Sequence, residues 1–152
     1  MKASVSIVLC TYNGAKYLSE QLESILAQTY PLHEIIIQDD NSTDETVNII
    51  HEYACKYSLI KFFKNNSAHG VNGNFISAIQ RATGDYIAIS DQDDIWETDK
   101  IDNQMKSIGK NLLCSGFSRP FSTDGSFAYF DHRKRNVNVV RMCFLGLPGH
   151  TL

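Results

Sequence analysis

Ser4 to Cys10 reads Ser-Val-Ser-Ile-Val-Leu-Cys, a near-continuous apolar run rich in β-branched residues. Such a run has no solvent-facing side, so it fits a central strand of a parallel sheet covered on both faces. Parallel neighbours cannot be joined by a tight turn and need a crossover, usually a helix. The sequence supplies these in order. Thr11-Tyr12-Asn13-Gly14 ends the first strand. Ala15, Leu18, Leu22 and Ile25 then recur at helical spacing, which predicts a helix from Ala15 to Gln28, stopped by Pro31. Glu34 to Gln38 contains Ile35-Ile36-Ile37 and predicts a second buried strand, ending in Asp39-Asp40-Asn41. Ser42 and Glu45 have capping-box spacing, and Val47, Ile50, Ala54 and Tyr57 form the stripe of a second helix. Ile60 to Phe63 is a third short strand.

Asn65 to Gly73 is polar and glycine-bearing, and so reads as a loop. Phe75, Ala78, Ile79 and Ala82 mark a third helix, with Gly84 suited to its C′ position. Tyr86 to Ser90 is the fourth strand. Ile101, Met105 and Ile108 mark a fourth helix, with Thr98 as a candidate cap and Gly109 at its far end. Strand and helix alternate to this point, so the fold class is α/β, a mostly parallel, Rossmann-like sheet flanked by helices. The texture changes after Asn111. Leu112 to Phe117 reads as a strand, Asp124-Gly125 as a turn and Ser126 to Phe130 as its answering strand. Val137 to Leu145 is apolar again. A shorter mixed or antiparallel C-terminal part is therefore expected within one domain spanning 1–152.

The chain has 152 residues, 43% apolar and 20% charged, which is a globular composition. Its net charge of −3 excludes a nucleic-acid binder that works through bulk phosphate attraction. Cys10, Cys55, Cys114 and Cys143 lack C-x-x-C spacing and read as reduced core thiols of a cytosolic protein. No basic-then-apolar leader and no membrane-length apolar run is present. No G-x-x-x-x-G-K-[ST] or G-x-G-x-x-G occurs, so P-loop and dinucleotide readings lose support.

Chemistry concentrates where the strands end. Gly84-Asp85-Tyr86-Ile87-Ala88-Ile89-Ser90-Asp91-Gln92-Asp93-Asp94 is a short strand followed by three crowded carboxylates. Like charges so close need water to screen them or a cation among them, and a D-x-D oxygen cluster is hard-ligand chemistry suited to Mg²⁺ or Mn²⁺. The plain alternative is a solvated acidic turn. Open parallel sheets bind ligands at the C-terminal ends of their strands, near the point where strand order reverses. If the first strand is central, Thr11-Tyr12-Asn13, Asp39-Asp40-Asn41 and Asp91 to Asp94 share one crevice. A tyrosine can cover a base, a carboxylate can accept from a ring N–H, and D-x-D can hold a divalent ion against a diphosphate.

Four ordered motifs carry a resemblance. They are Ser6-Ile7-Val8-Leu9-Cys10-Thr11-Tyr12-Asn13, Gln28-Thr29-Tyr30, Ile37-Gln38-Asp39-Asp40-Asn41-Ser42-Thr43-Asp44, and Ala82-Thr83-Gly84 through Asp94. The sequence resembles the family-2 glycosyltransferases of the GT-A fold, in the bacterial cell-surface polysaccharide, rhamnosyltransferase-like branch. Gly146 to Thr151 is similar to the Gly-His-Thr segment near the acceptor side of that branch. The resemblance implies inverting transfer from a UDP- or dTDP-linked sugar to a saccharide or lipid-linked acceptor, with Mn²⁺ or Mg²⁺ as cofactor. Thr11, Tyr12 and Asn13 would line the nucleotide pocket, and Asp40 would accept from the base N3–H. Asp91 and Gln92 would lie near the ribose and diphosphate. Asp93 would be the chief metal ligand, with Asp91 beside it, and His150 would face the acceptor. The resemblance places the catalytic base downstream of the acceptor segment, beyond Leu152, so no residue of this sequence is assigned to that role; Asp124, Asp131 and His132 come too early.

These features lead to the expectation of an N-terminal portion of a longer enzyme. Residues 1–110 would form the donor-binding half and 111–152 the start of the acceptor half. It would be cytoplasmic or peripheral at the inner face of the membrane, able to form a homodimer through the apolar Val139 to Leu147. The alternatives are a nucleotide-binding module without turnover and, with less support, a nucleotidyltransferase. Plainer roles suit the remaining residues: Asp39 a turn residue, Asp44 a helix-dipole residue, Trp96 packing, Lys100 an exposed helix lysine or a phosphate contact, and His69, Gly70 and Asn74 a loop.

Overall fold

The computed structural model describes residues 2–66 and 69–116. Eight elements alternate through the first 109 residues. They are β1 (Val5–Thr11), α1 (Leu18–Leu26), β2 (Glu34–Asp39), α2 (Thr46–Lys56), β3 (Ile60–Lys64), α3 (Val71–Ile79), β4 (Tyr86–Ser90) and α4 (Lys100–Ile108). The sheet order is β3-β2-β1-β4 and every pairing is parallel. β1 is therefore flanked on both sides, as its unbroken apolar sequence requires, and all seven of its residues are buried. Chain order runs outward from β1 to β3, then returns across β1 to β4. That return creates the switch point beside the C-terminal end of β1.

Alternate residues of β1 serve two cores. Val5, Ile7 and Leu9 pack with Leu18, Leu22 and Ile25 of α1, Ile50 of α2, and Ile101 of α4. Val8 and Cys10 pack with Ile36 and with Ala78, Phe75 and Ile79 of α3. Helices α1, α2 and α4 thus cover one face and α3 the other. Each fully buried Ile or Leu contributes roughly 1.5–3 kcal/mol, so this two-sided burial is the main stabiliser of the unit.

Several boundaries differ from the sequence expectation, each for a local reason. α1 begins at Leu18 because Gly14 to Tyr17 forms a turn, in which Tyr17 N–H and Leu18 N–H both reach Gly14 O at 3.0 Å. The Ser42/Glu45 capping box does not form: Ser42 Oγ is turned back to Asp39, and Asp44 Oδ1 takes Thr46 N–H at 3.0 Å instead. α3 starts at Val71, so the expected loop is shorter than Asn65 to Gly73. Gly84 is not a helix cap. A Cβ there would lie 2.8 Å from Ser6 N, so glycine is needed for close approach to β1. Asp99, not Thr98, precedes α4, while Gly109 ends it with φ +53° as expected. Cys10 is buried, but Cys55 is exposed and so is no core thiol.

Residues 110–152 form a second compact unit. Its described part, 110–116, carries no helix or strand, so the strand expected from Leu112 is absent up to residue 116. The turn at Asp124-Gly125, Ser126 to Phe130, Val137 to Leu147, Cys143 and His150 lie outside the described residues, as do Asp131 and His132. Leu152 lies outside them too, so the expectation of a catalytic base beyond it falls on no described residue. Among the described residues no helix is long and apolar enough to cross a membrane.

Candidate nucleotide-sugar site

The site lies at the C-terminal ends of β1, β2 and β4. Asp39 closes β2 and is fully buried. Its Oδ1 accepts from Thr11 Oγ1 at 2.9 Å and from Ser42 Oγ, and its Oδ2 accepts from Ser42 N–H at 2.8 Å. Asp39 is a bracket between two strand ends. Thr11 is 2% exposed and its hydroxyl is committed inward. The corner beyond it is held by its neighbours. Asn13 takes φ +48° and Asn41 φ +65°, the left-handed region that asparagine tolerates. Asn13 Oδ1 accepts from Thr43 N–H at 2.8 Å, and Asn13 N–H donates to Ser42 Oγ at 2.8 Å. Tyr12 projects from this fixed turn with 58% of its surface exposed.

Asp40, by contrast, keeps a tenth of its side chain exposed. Its Oδ1 accepts from Asn65 Nδ2 and His69 Nδ1, both at 2.8 Å, and its Oδ2 accepts from Gly70 N–H at 2.7 Å. Burial pushes its carboxyl up, but the Gly70 N–H, His69 and Asn65 outweigh this and hold it below the usual carboxylate range. Asp40 therefore anchors the start of α3, and a carboxylate oxygen such as Oδ2 has lone pairs enough to accept a second bond.

The acidic turn after β4 is tied to the same corner. The Gln92 side-chain amide clasps the Tyr12 backbone: its Oε1 accepts Tyr12 N–H at 2.9 Å and its Nε2 donates to Tyr12 O at 3.0 Å. Ser90 Oγ bonds Gln21 of α1 and donates to Asp91 O at 3.0 Å. Downstream, Trp96 N–H reaches Ser24 Oγ at 3.0 Å, and Gln28 spans from Glu97 O at 2.8 Å to Ile101 N–H at 3.0 Å. The turn thus hangs from α1 at both ends. Asp91 and Asp94 are half-buried and Asp93 is exposed.

Cys10 reports the convergence. Burial, with the charges of Asp91 and then Asp40 acting the same way, pushes its thiol up to about 12. One buried atom thus senses carboxylates from the ends of both β2 and β4. Asp40 N–H donates to Thr11 O at 2.9 Å and Gln92, next to Asp91, holds the Tyr12 backbone, so Tyr12, Asp40, Asp91 and Gln92 gather at one corner, with Thr11 and Asn13 shaping it. No signal in the sequence points to Gln92 as a clasp, to Gln28 as a clamp or to Asn65 as a partner of Asp40, because each acts across a long chain separation.

The donor set suits a hard divalent ion in one manner only. Among the described residues no group of three or more His, Cys, Asp or Glu side chains could cage a metal. Mg²⁺ and Mn²⁺ sites of the substrate-assisted kind need fewer: one or two carboxylates, with phosphate oxygens and water completing the shell. The exposed Asp93 beside Asp91 fits that requirement.

Comparisons with known proteins bear on this arrangement. The Glycosyl transferase family 2 model matches residues 6–149. The chain is 46% identical over 101 residues to an Escherichia coli UDP-Glc:alpha-D-GlcNAc-diphosphoundecaprenol beta-1,3-glucosyltransferase, covering 66% of this chain and 39% of that protein. It is 43% identical over 105 residues to a Shigella flexneri dTDP-rhamnosyl transferase, covering 66% and 36%. It therefore spans about two fifths of the length of these curated relatives (39% of the first). Among solved structures, a Pyrobaculum calidifontis mannosyltransferase in complex with GDP-Man and Mn²⁺ aligns with TM-score 0.67 at 28% identity, over 72% of this chain and 33% of that one. Staphylococcus aureus TarS in complex with UDP aligns with TM-score 0.62 at 28% identity, over 70% and 32%. The parallel sheet and its switch point are GT-A-like. The strand-end corners, the sheet order and a match over nearly the whole sequence agree, and the chain belongs to glycosyl transferase family 2.

Proposed function

We propose that this chain binds a nucleoside-diphosphate sugar and serves its transfer, with inversion, to a saccharide or lipid-linked acceptor in cell-surface polysaccharide synthesis. The observation that carries the reading is geometric: Asp40 N–H donates to Thr11 O at 2.9 Å and the Gln92 side chain bonds both backbone groups of Tyr12, so the ends of β2 and β4 meet beside the exposed ring of Tyr12. Tyr12 offers a face for the base. Asp40 Oδ2 accepts a base N–H, a group that uracil and thymine share. Thr11 and Asn13 hold the turn that presents Tyr12, and Gln92 fixes its backbone. Asp91 lies toward the ribose and diphosphate. Asp93, with Asp91, would hold Mn²⁺ or Mg²⁺, which when bound stabilises charge on the departing diphosphate. Inversion calls for in-line attack by an acceptor hydroxyl relieved of its proton by a carboxylate; no described residue is given that role.

Relatives named for UDP-Glc and dTDP-rhamnose support a UDP- or dTDP-linked donor, and a relative named for a diphosphoundecaprenol acceptor supports a lipid-linked one. Residues 1–110 then form the donor half, and 111–152, including His150, begin the acceptor half. A peripheral place at the inner membrane face and association through Val139 to Leu147 belong to the same reading. Calorimetric titration with UDP and with dTDP, with and without Mn²⁺, tests it. Metal-dependent binding that falls at least about tenfold in Asp93→Ala is expected, the loss of a charge-assisted contact. Binding indifferent to both metal and Asp93 would overturn the proposal. A module that holds nucleotide without turnover is the second reading, favoured because every site residue described is on the donor side; sugar transfer by the chain would exclude it.

A further inference from the structure

Gln92 stands between Asp91 and Asp93, where a contact to ribose or diphosphate is expected. Yet both ends of its amide are spent on Tyr12: Oε1 accepts Tyr12 N–H at 2.9 Å and Nε2 donates to Tyr12 O at 3.0 Å. The amide lies over Gly14, where a Cβ would come within 2.2 Å of Oε1 and 2.5 Å of Cδ. Glycine at 14 relieves no backbone strain, since the described glycines with positive φ are Gly70 and Gly109. Its bare Cα is instead the seat of the Gln92 amide. The two partners do not depend on the clasp equally. The acidic turn is also moored to α1, through Ser90 to Gln21 and through Trp96 N–H to Ser24. Tyr12 sends its own N–H and C=O to Gln92, and its ring is 58% exposed. Without the amide the turn keeps its moorings, whereas the Tyr12 peptide loses both of these bonds.

We propose that Gln92 is a positioning residue that acts on the nucleotide only through Tyr12, holding the Tyr12 peptide so that the ring stands in place for the base before a nucleotide arrives. The inference rests on the reading of Tyr12 as the base platform given above. A loose ring has to be ordered when the ligand binds, and ordering a side chain subtracts from affinity. A clasp already closed in the free protein removes that cost. Gln92 belongs to the turn that would face the diphosphate, so the same clasp sets the spacing between the two ends of the nucleotide site. A glutamine that bonded the ligand itself would turn its amide to the crevice; here both ends of the amide hold backbone, and Gly14 makes room for them.

The test is a double-mutant cycle on the whole chain, read by calorimetric titration of UDP and of dTDP with Mn²⁺ present. Gln92→Met keeps the length of the side chain and removes both bonds. Gly14→Ala displaces the amide while leaving Gln92 in the sequence, because the end of a flexible side chain yields where backbone would not. One variant therefore remains if the other fails to fold. Each is expected to weaken nucleotide binding on the order of tenfold, a part of what a base gains by stacking on an aromatic ring. In the Tyr12→Ala background, Gln92→Met is expected to cost nothing further, since no ring is left to hold. Variants that unfold more easily but bind nucleotide as tightly as the natural chain would reduce Gln92 to a structural role and overturn the inference. An equal loss with and without the Tyr12 ring would also overturn it, because Gln92 would then meet the nucleotide directly. A natural chain that takes neither UDP nor dTDP would overturn the nucleotide reading, and one that Tyr12→Ala matches would overturn the base platform; either takes this inference with it, by a result distinct from the other two.

Discussion

Glu34 opens β2, and its side chain is 1% exposed. Its Oε1 accepts from Ser6 Oγ at 2.8 Å and from Thr83 N–H and Oγ1 at 2.7 and 2.8 Å; its Oε2 accepts from Lys61 Nζ at 2.7 Å. Burial alone would raise its pKa, yet Lys61, the Thr83 N–H and the hydroxyls win and bring it from 4.5 to about 2. A carboxylate depressed on folding stabilises the native state fully above its unfolded pKa. That stability is lost as pH falls from about 4.5 towards about 2. Lys61 is half-exposed, so water screens part of the pair, and the whole effect is on the order of 2 kcal/mol. Glu34→Gln is expected to lower the unfolding free energy at neutral pH by that amount, read from urea denaturation. It should also flatten the acid limb of a stability profile. An unchanged acid limb would show that other carboxylates govern it. Gly84 belongs to the same corner: its N–H donates to Ser6 Oγ at 2.9 Å, in the space a side chain would take.

At the scale of elements, α3 is joined to the sheet by polar bonds as well as by its apolar face. Gln38 Nε2 donates to Asn74 O and Oδ1 at 3.2 and 3.1 Å, Asn74 Nδ2 returns a bond to Gln38 O at 3.1 Å, and both residues are buried. Asn74→Ala removes two of these buried bonds, leaving Gln38 Nε2 only the backbone carbonyl of residue 74, and is expected to cost about 1–3 kcal/mol by urea unfolding. Hydrogen exchange in α3 should quicken before that in β1. This exchange of bonds also explains what the sequence conceals. Val71-Asn72-Gly73-Asn74 has the composition of a loop, and tertiary pairing of Asn74 with β2 overrides that local preference. β1 and β4 are legible because burial on a parallel sheet writes itself into apolar runs. The capping box fails because Ser42 finds a stronger partner in the Asp39 carboxylate, whose place beside it only the fold reveals.

For the molecule as a whole, the order of the strands is within reach of sequence, since a buried parallel run has to be central and its polar ends have to share an edge. What the edge holds together is less legible. Asp40 and the acidic turn stand out as letters, but Gln92, Gln28, Asn65 and the seating of Lys100 on Trp96 exist only through contacts between distant segments. Two of the described thiols, Cys10 and Cys55, follow the same division between inside and outside, and Cys114 is half-buried. Cys10 is buried, with its pKa raised to about 12, whereas Cys55 sits exposed towards the end of α2. Alkylating reagents attack the thiolate, so a maleimide dye at neutral pH should mark Cys55 and spare Cys10, which peptide mass mapping would verify. Because α2 runs back against the strands, that label would stand at the far end of the sheet from the crevice. A fluorescent reporter could therefore be installed without touching the corner where a sugar nucleotide would sit.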